Sequence, residues 1–175
     1  MSYTTRTILS GVIGLIAVFG CDRPAAFEPR PASTAAFPSI VGNYAATGTA
    51  TVKTSFGSKT FACSATIDIP TQTDSTFAGT VTVLASGDCD SDSGTVAGVV
   101  LANDSVVAMA YASNGATVWQ EAAARSGCTL VRSTPFTGAL SGDTLAVAGS
   151  GAYDCPSTFG TYRVDVDVRA RGTRS

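Results

Sequence analysis

The sequence predicts an all-β domain, an antiparallel up-and-down meander of about eight to ten strands that closes, or nearly closes, into a barrel. Three observations support this prediction. Apolar and polar residues alternate with a period of two beyond Gly42, which is typical of strands with one buried side. Turn sequences recur between these segments, and the composition favours small and β-branched residues, with 18 glycines. A two-sheet β-sandwich is the alternative.

The N-terminus reads as an export signal. Arg6 precedes an apolar run over residues 8–19, which is shorter than the roughly 20 apolar residues needed to span a bilayer. The following Phe19-Gly20-Cys21 resembles the lipobox of bacterial lipoproteins, except that Phe19 replaces a residue that is usually small or polar. The resemblance implies cleavage after Gly20 and a lipid on the Cys21 sulfur. An ordinary secretory signal is the alternative.

The chain divides into three parts. We expect a signal peptide at 1–20, the lipidated cysteine and a flexible Pro/Ala-rich tether at 21–40, and a single β domain at 41–175. Four of the seven prolines fall in the tether, which has no apolar period and should stay solvated and extended. A short strand at 37–41 docking on the body is the alternative. The expected location is the cell envelope, lipid-anchored to a membrane and facing the periplasm or exterior.

The five cysteines support export. Setting Cys21 aside leaves four, Cys63, Cys89, Cys128 and Cys155, in a compartment where disulfides persist. Four cysteines allow three connectivities. We favour Cys63–Cys89 and Cys128–Cys155, because both pairs enclose stretches of similar length and would tie neighbouring strands. A zinc site has little support, since the chain has no histidine and no C-x-x-C motif.

The first strand is expected to begin near Gly42. Gly42-Asn43-Tyr44 faintly resembles the Gly-x-Trp that opens the first strand of lipocalins, with Tyr44 in place of the tryptophan. That resemblance implies a cup for a small apolar ligand. The simpler interpretation is a strand start with a buried tyrosine.

Three later segments show the clearest alternation. Their apolar faces are Phe61, Cys63, Ala65, Ile67 and Ile69; Phe77, Gly79, Val81 and Val83; and Val164, Val166 and Val168. Hairpin turns are expected at 103–104 and 141–143, each after an apolar-x-Gly-x-apolar segment. One segment breaks the pattern, because residues 119–125 read WQEAAAR and place Glu121 and Arg125 at helical spacing. We expect a short helix there, at a barrel end.

One cluster has the composition of a cation site. Asp88, Asp90 and Asp92 alternate, and carboxylates at this spacing resemble the start of an EF-hand loop. Ser93 occupies the glycine position of that loop and Val99 the position of its bidentate glutamate, so a true EF-hand is rejected. These three aspartates are a weak metal candidate, and a solvated loop is the preferred interpretation.

Composition narrows the function. Residues 21–175 carry 10 basic and 13 acidic side chains, because Arg6 is the only charged residue of the signal, and the formal charge of −3 argues against nucleic acid as a partner. Without histidine there is no Ser-His-Asp or Cys-His arrangement, so we expect no catalysis and no cofactor.

Two functions remain. The first is a membrane-tethered structural or interaction module that contacts an unknown envelope protein. The second is a lipocalin-like carrier of a small apolar ligand. An enclosed apolar cavity would favour the carrier, and a packed interior with an exposed apolar patch would favour the module.

The lipobox resemblance predicts that Cys21→Ser leaves the protein without its lipid. The wild-type chain should incorporate labelled palmitate and partition into the detergent phase, whereas the variant should take up no label and stay in the aqueous phase. A wild-type chain that remains aqueous and unlabelled would show that the lipoprotein interpretation is wrong.

Overall fold

The computed structural model describes residues 36–86 and 88–175, so the signal, Cys21 and most of the tether lie outside the described residues. The described part of the chain forms nine strands and one helix. In chain order these are β1 (Gly42–Thr54), β2 (Gly57–Thr73), β3 (Thr76–Leu84), β4 (Asp92–Val100), β5 (Ser105–Ala112), α1 (Val118–Ser126), β6 (Thr129–Ser133), β7 (Phe136–Ser141), β8 (Thr144–Ser157) and β9 (Gly160–Arg174).

The strands form a closed antiparallel barrel. From β1 to β5 each strand pairs with the next, β5 pairs with β7, β7 with β8 and β8 with β9, and β9 returns to β1. Eight strands therefore close the wall and β6 is an extra strand. The barrel prediction is confirmed, and the sandwich alternative is wrong because the β1–β9 ladder leaves no break between two sheets. We call the end where β1 begins the lower end and the opposite end the upper end.

Strands β6 and β7 lie in line along one edge of β8. Residues 129–133 pair with 151–154 and residues 137–141 with 144–148, while the Thr134 amide donates to the Ser150 carbonyl at 2.8 Å. Pro135 follows Thr134 and, having no N–H, interrupts the ladder there. Above the Ala108–Phe136 pair, β5 loses its contact with β7, and α1 packs beside the upper part of the wall.

Helix α1 is defined at both ends. The Thr117 hydroxyl accepts the Gln120 amide at 3.2 Å, and the Gln120 side chain accepts the Thr117 amide at 3.0 Å, which is a capping box. Gly127 ends the helix at φ 67°, in the left-handed region. The expected pairing of Glu121 with Arg125 is present at 2.7 Å. Hydrogen bonds from Arg125 and then Asn114 lower the pKa of Glu121, which favours its ionised form.

The lower end is closed by residues that precede β1. Ile40 is fully buried, its carbonyl accepts the Tyr44 hydroxyl at 2.8 Å, and Arg174 donates to that same hydroxyl at 2.9 Å. Gln72 holds the segment from β2, since its amide group accepts from the Ile40 N–H and donates to the Pro38 carbonyl. Residues 38–40, which the sequence assigned to the tether, therefore pack on the barrel, although they form no strand.

The four cysteines of the domain lie in two pairs at disulfide-bonding distance. The Cα atoms of Cys63 and Cys89 are 5.6 Å apart, and those of Cys128 and Cys155 are 4.3 Å apart. The first pair joins β2 to the loop before β4, and the second joins the residue before β6 to β8. This is the pairing that the sequence favoured.

We predict that non-reducing digestion of the oxidised protein yields two linked peptide pairs, Cys63 with Cys89 and Cys128 with Cys155. Replacing both cysteines of either pair by alanine should lower the free energy of unfolding by about 2–5 kcal/mol, because the unfolded chain gains freedom. Peptide mapping by mass spectrometry and denaturant titration measure the two effects. Crossed linkages would contradict the pairing.

Candidate functional site

The candidate site is the interior of the barrel between its two ends. Seven inward positions in the middle of the barrel, on β1, β2, β5 and β9, carry no side chain larger than a methyl group, and we call this set the belt: Ala46, Gly48, Ala50, Ala65, Ala108, Ala110 and Ala170. An eight-stranded barrel is just wide enough for side chains to fill it or for one small ligand. Because these side chains stop short of the barrel axis, the middle of the barrel is hollow.

The hollow is an apolar cavity of about 280 Å³. Its floor is formed by larger residues of the lower core, among them Ile69, Phe77 and Leu145. Val118 of α1 and Phe136 of β7 line its upper part. Ligand pockets typically measure roughly 300–1,000 Å³, so the cavity lies just below that range.

A second space lies above the first, between α1 and the upper parts of β1 and β9. This upper chamber has a volume of about 640 Å³ and is lined mainly by apolar side chains, including Val52, Trp119 and Val164. Val118 and Phe136 line both spaces, so the chamber adjoins the cavity. Among the described residues that line the upper chamber, none is charged.

Two glycines of β8 make room for the aromatic side chains of the chamber. Trp119 stacks on Phe136 with ring centroids 5.3 Å apart, and its indole N–H donates to the Thr134 carbonyl at 3.1 Å. A Cβ atom on Gly151 would lie 2.8 Å from the indole, and one on Gly149 would lie 2.9 Å from the Phe136 ring. Such distances are too short for a side chain, so glycine at both positions is what lets the aromatic stack lie against β8.

Tyr153 carries a buried hydroxyl that has no hydrogen-bond partner among the described residues. Its side chain is 4% exposed, and its hydroxyl is the single buried side-chain polar atom, within the described residues, that makes no hydrogen bond. Burial raises the pKa of Tyr153, so the phenol is neutral at neutral pH and keeps its O–H donor. The hydroxyl lies over Gly151, next to Trp119.

The aspartates of the predicted cation cluster make separate contacts. Asp92 pairs with Arg125 of α1 at 3.0 Å, and Asp88 accepts the Ala62 amide at 3.4 Å. Across residues 36–86 and 88–175, no three acidic, cysteine or histidine side chains are grouped so as to hold a metal ion. The ion pair of Asp92 with Arg125 therefore joins the start of β4 to α1.

Of two further residues singled out in the sequence, only one lies in the described part of the chain. Tyr44 is buried at the start of β1, but it packs in the lower core rather than along the cavity. Cys21 lies outside the described residues. Sequence reasoning singled out neither the belt of small residues nor Tyr153, although strand alternation places Tyr153 on the same face as Gly151 and Cys155.

Comparison with protein-family models, with curated proteins and with solved structures finds no match to this chain. In the part of the chain that the structure describes, no helix has the length and hydropathy needed to cross a membrane.

We predict that Tyr153→Phe raises the free energy of unfolding by roughly 1–3 kcal/mol in the ligand-free protein, because it removes a buried hydroxyl that has no partner and keeps the ring. Denaturant titration measures the change. Tyr162→Phe, at a partly exposed position that also lines the chamber, is the matched control and should be neutral. A loss of stability in Tyr153→Phe would show that the hydroxyl has a hydrogen-bond partner in solution.

Proposed function

We propose that this domain is a lipocalin-like carrier that holds a small apolar ligand inside its barrel, and that a lipid on Cys21 tethers it to a membrane of the cell envelope. The observation that supports the proposal is the apolar cavity of about 280 Å³ at mid-barrel. No catalytic step is part of the proposal.

The energetic cost of the cavity supports a ligand. Unfilled volume in a protein core costs about 24 cal/mol per Å³, so an empty cavity of this size would cost on the order of 7 kcal/mol. That cost is comparable to the whole stability of many domains. Replacing a few alanines by leucine or valine would remove it. Alanine and glycine at seven inward positions of four strands are therefore best explained by an occupant.

The lining selects the class of ligand. The cavity wall is apolar, and the chamber above it adds apolar surface together with isolated hydroxyl groups. An ionised group would lose its hydration there without finding a partner charge. The expected ligand is an uncharged apolar molecule, or a single acyl chain with a neutral end group.

A structural or interaction role is the second proposal. The cavity argues against a purely structural barrel, whose interior would be filled by side chains. Phe56 and Phe159, however, are large apolar side chains exposed at the upper end. These residues favour a surface that contacts something, and such contact is compatible with carrying a ligand.

We predict that Ala65→Leu lowers affinity for N-phenyl-1-naphthylamine, a fluorescent apolar probe, at least about tenfold, because Ala65 lines the cavity and the added carbons would occupy it. Fluorescence titration of the full chain measures the dissociation constant. The control is Ala62→Leu, the same change at an exposed position on the same strand. It should bind the probe like the wild type.

Two results would contradict the carrier. One is a wild-type protein that neither binds the probe nor retains any molecule in native mass spectrometry after mixing with a lipid extract. The other is an equal loss of affinity in Ala62→Leu and Ala65→Leu, which would place the probe on the outer surface. Circular dichroism establishes that both variants are folded.

A further inference from the structure

Two turns at the upper end share a sequence and a conformation. They are Thr54-Ser55-Phe56-Gly57, between β1 and β2, and Ser157-Thr158-Phe159-Gly160, between β8 and β9. In each turn the first hydroxyl accepts the phenylalanine amide, at 3.1 and 3.3 Å, and donates to the glycine carbonyl, at 3.3 and 2.7 Å. Both glycines have positive φ, at 142° and 120°. The same hydrogen-bonded turn therefore occurs twice in the domain.

Each turn presents its phenylalanine to solvent. Phe159 is 100% exposed and Phe56 is 87% exposed, the highest values for large apolar residues in the described part of the chain. Scattered apolar residues on a surface are ordinary, but positions in tight turns usually carry glycine, asparagine, aspartate or serine. Because the hydroxyl contacts fix the backbone, the two rings are held outward at the ends of their hairpins.

The two turns lie beside the upper chamber, whose lining includes Thr54 of the first turn and Tyr162 just after the second, and we call this side of the chamber its mouth. Strand β9 pairs with both β1 and β8, so the two hairpins are neighbours at the same end of the barrel. The Phe56 ring contacts Tyr162 edge-on, with centroids 6.3 Å apart, and Tyr162 lines the chamber. Exposed aromatic surface thus continues into the apolar interior.

We propose that Phe56 and Phe159 insert into the surface of a lipid bilayer, so that the barrel docks with its mouth against the membrane. An apolar ligand then passes between the bilayer and the upper chamber without crossing bulk water. The transfer step rests on the proposed function, whereas the docking step stands on the turns alone.

The charges around the tips suit a lipid surface. The remaining turn residues, Ser55 and Thr158, are uncharged, so nothing charged has to enter the apolar layer with the rings. The charged residues behind the tips include Lys59, whose ammonium lies 4.5 Å from the Phe61 ring centroid, and Lys53, which pairs with Asp167 at 2.6 Å. When the two rings are inserted, long cationic side chains behind the tips can place their charged groups at the level of the lipid headgroups.

The length of chain before the barrel permits this orientation. Ile40 lies at the lower end, opposite the tips, so a lipid on Cys21 would approach from the wrong side if the connection were short. β1 has 13 residues, about 43 Å at roughly 3.3 Å per residue. Because residues 38–40 pack on the barrel, the 16 residues between Cys21 and Pro38 are available, and fully extended they span about 53 Å. The upper end can therefore reach the same bilayer that holds the anchor.

The first experiment asks which end of the barrel meets the bilayer. The full chain carrying Phe159→Trp is mixed with vesicles of brominated phosphatidylcholine, and its fluorescence is compared with that in unbrominated vesicles. We expect the emission added by the new tryptophan to fall at least twofold. The control is Leu101→Trp, at the lower end and itself 43% exposed, which should show no quenching beyond that of the wild type.

The second experiment tests the transfer step. The variant Phe56→Ser/Phe159→Ser should take up the naphthylamine probe from loaded vesicles at least tenfold more slowly than the wild type. Its affinity for the probe in vesicle-free solution should be unchanged, because neither ring lines the cavity. Leu101→Ser is the matched control and should transfer at the wild-type rate.

The outcomes separate the two proposals. Absence of quenching at Phe159→Trp, or quenching at Leu101→Trp instead, overturns membrane docking, and a protein partner for the tips would give the first of these results. Probe binding without quenching overturns this inference and leaves the carrier standing. Quenching without probe binding overturns the carrier and the transfer step and leaves docking standing.

Discussion

The belt of alanine and glycine at mid-barrel is the constraint on which the rest of the structure depends. A closed barrel of eight strands has a fixed bore, so whether it is solid or hollow is decided by the inward side chains at each level. Here the large residues are concentrated toward the two ends, while Ala65, Ala108 and their neighbours leave the middle empty. Because a hollow middle contributes little packing energy, the two ends and the strand ladders have to stabilise the fold.

The two ends of the barrel are closed by different interactions. The lower end is sealed by a hydrogen-bonded cluster in which Ile40, Tyr44 and Arg174 join the chain before β1 to the last strand. The upper end is covered by α1, which is attached to the wall through Arg125 and Asp92 and, just beyond the helix, through Cys128 and Cys155. The lower seal contains the core residues Ile40 and Tyr44, whereas the upper cover is held by a few attachments around an apolar chamber.

The sequence predicted the barrel because its signals are local. Alternation along segments such as 61–69 and 163–169 reports which face of a strand is buried, and turn residues report where the chain reverses. The cavity depends instead on which residues meet across the barrel. Ala65 and Ala108 line the same cavity only after closure, and small inward residues suit a tightly packed sheet as well as a hollow one. The unpartnered hydroxyl of Tyr153 could not be predicted from the sequence for the same reason, because the hydrogen-bond partners of a side chain depend on its three-dimensional surroundings. Asp92 is the opposite case, because its local spacing made it a weak cation candidate, whereas its ion pair in the structure is with Arg125 of a distant helix.

The asymmetry of the barrel ties the cavity to its surroundings. A ligand that enters through the lower end would have to displace Ile40 from full burial and break the hydrogen bonds around Tyr44. At the upper end it meets Val118 and Phe136, side chains that line both the chamber and the cavity and that form no hydrogen-bonded seal like the one at the lower end. The exposed aromatic turns stand at this same end. The easier route into the barrel therefore lies at the end that exposes the aromatic turns. The route and the exposed turns have a common explanation if the mouth faces the source of an apolar ligand.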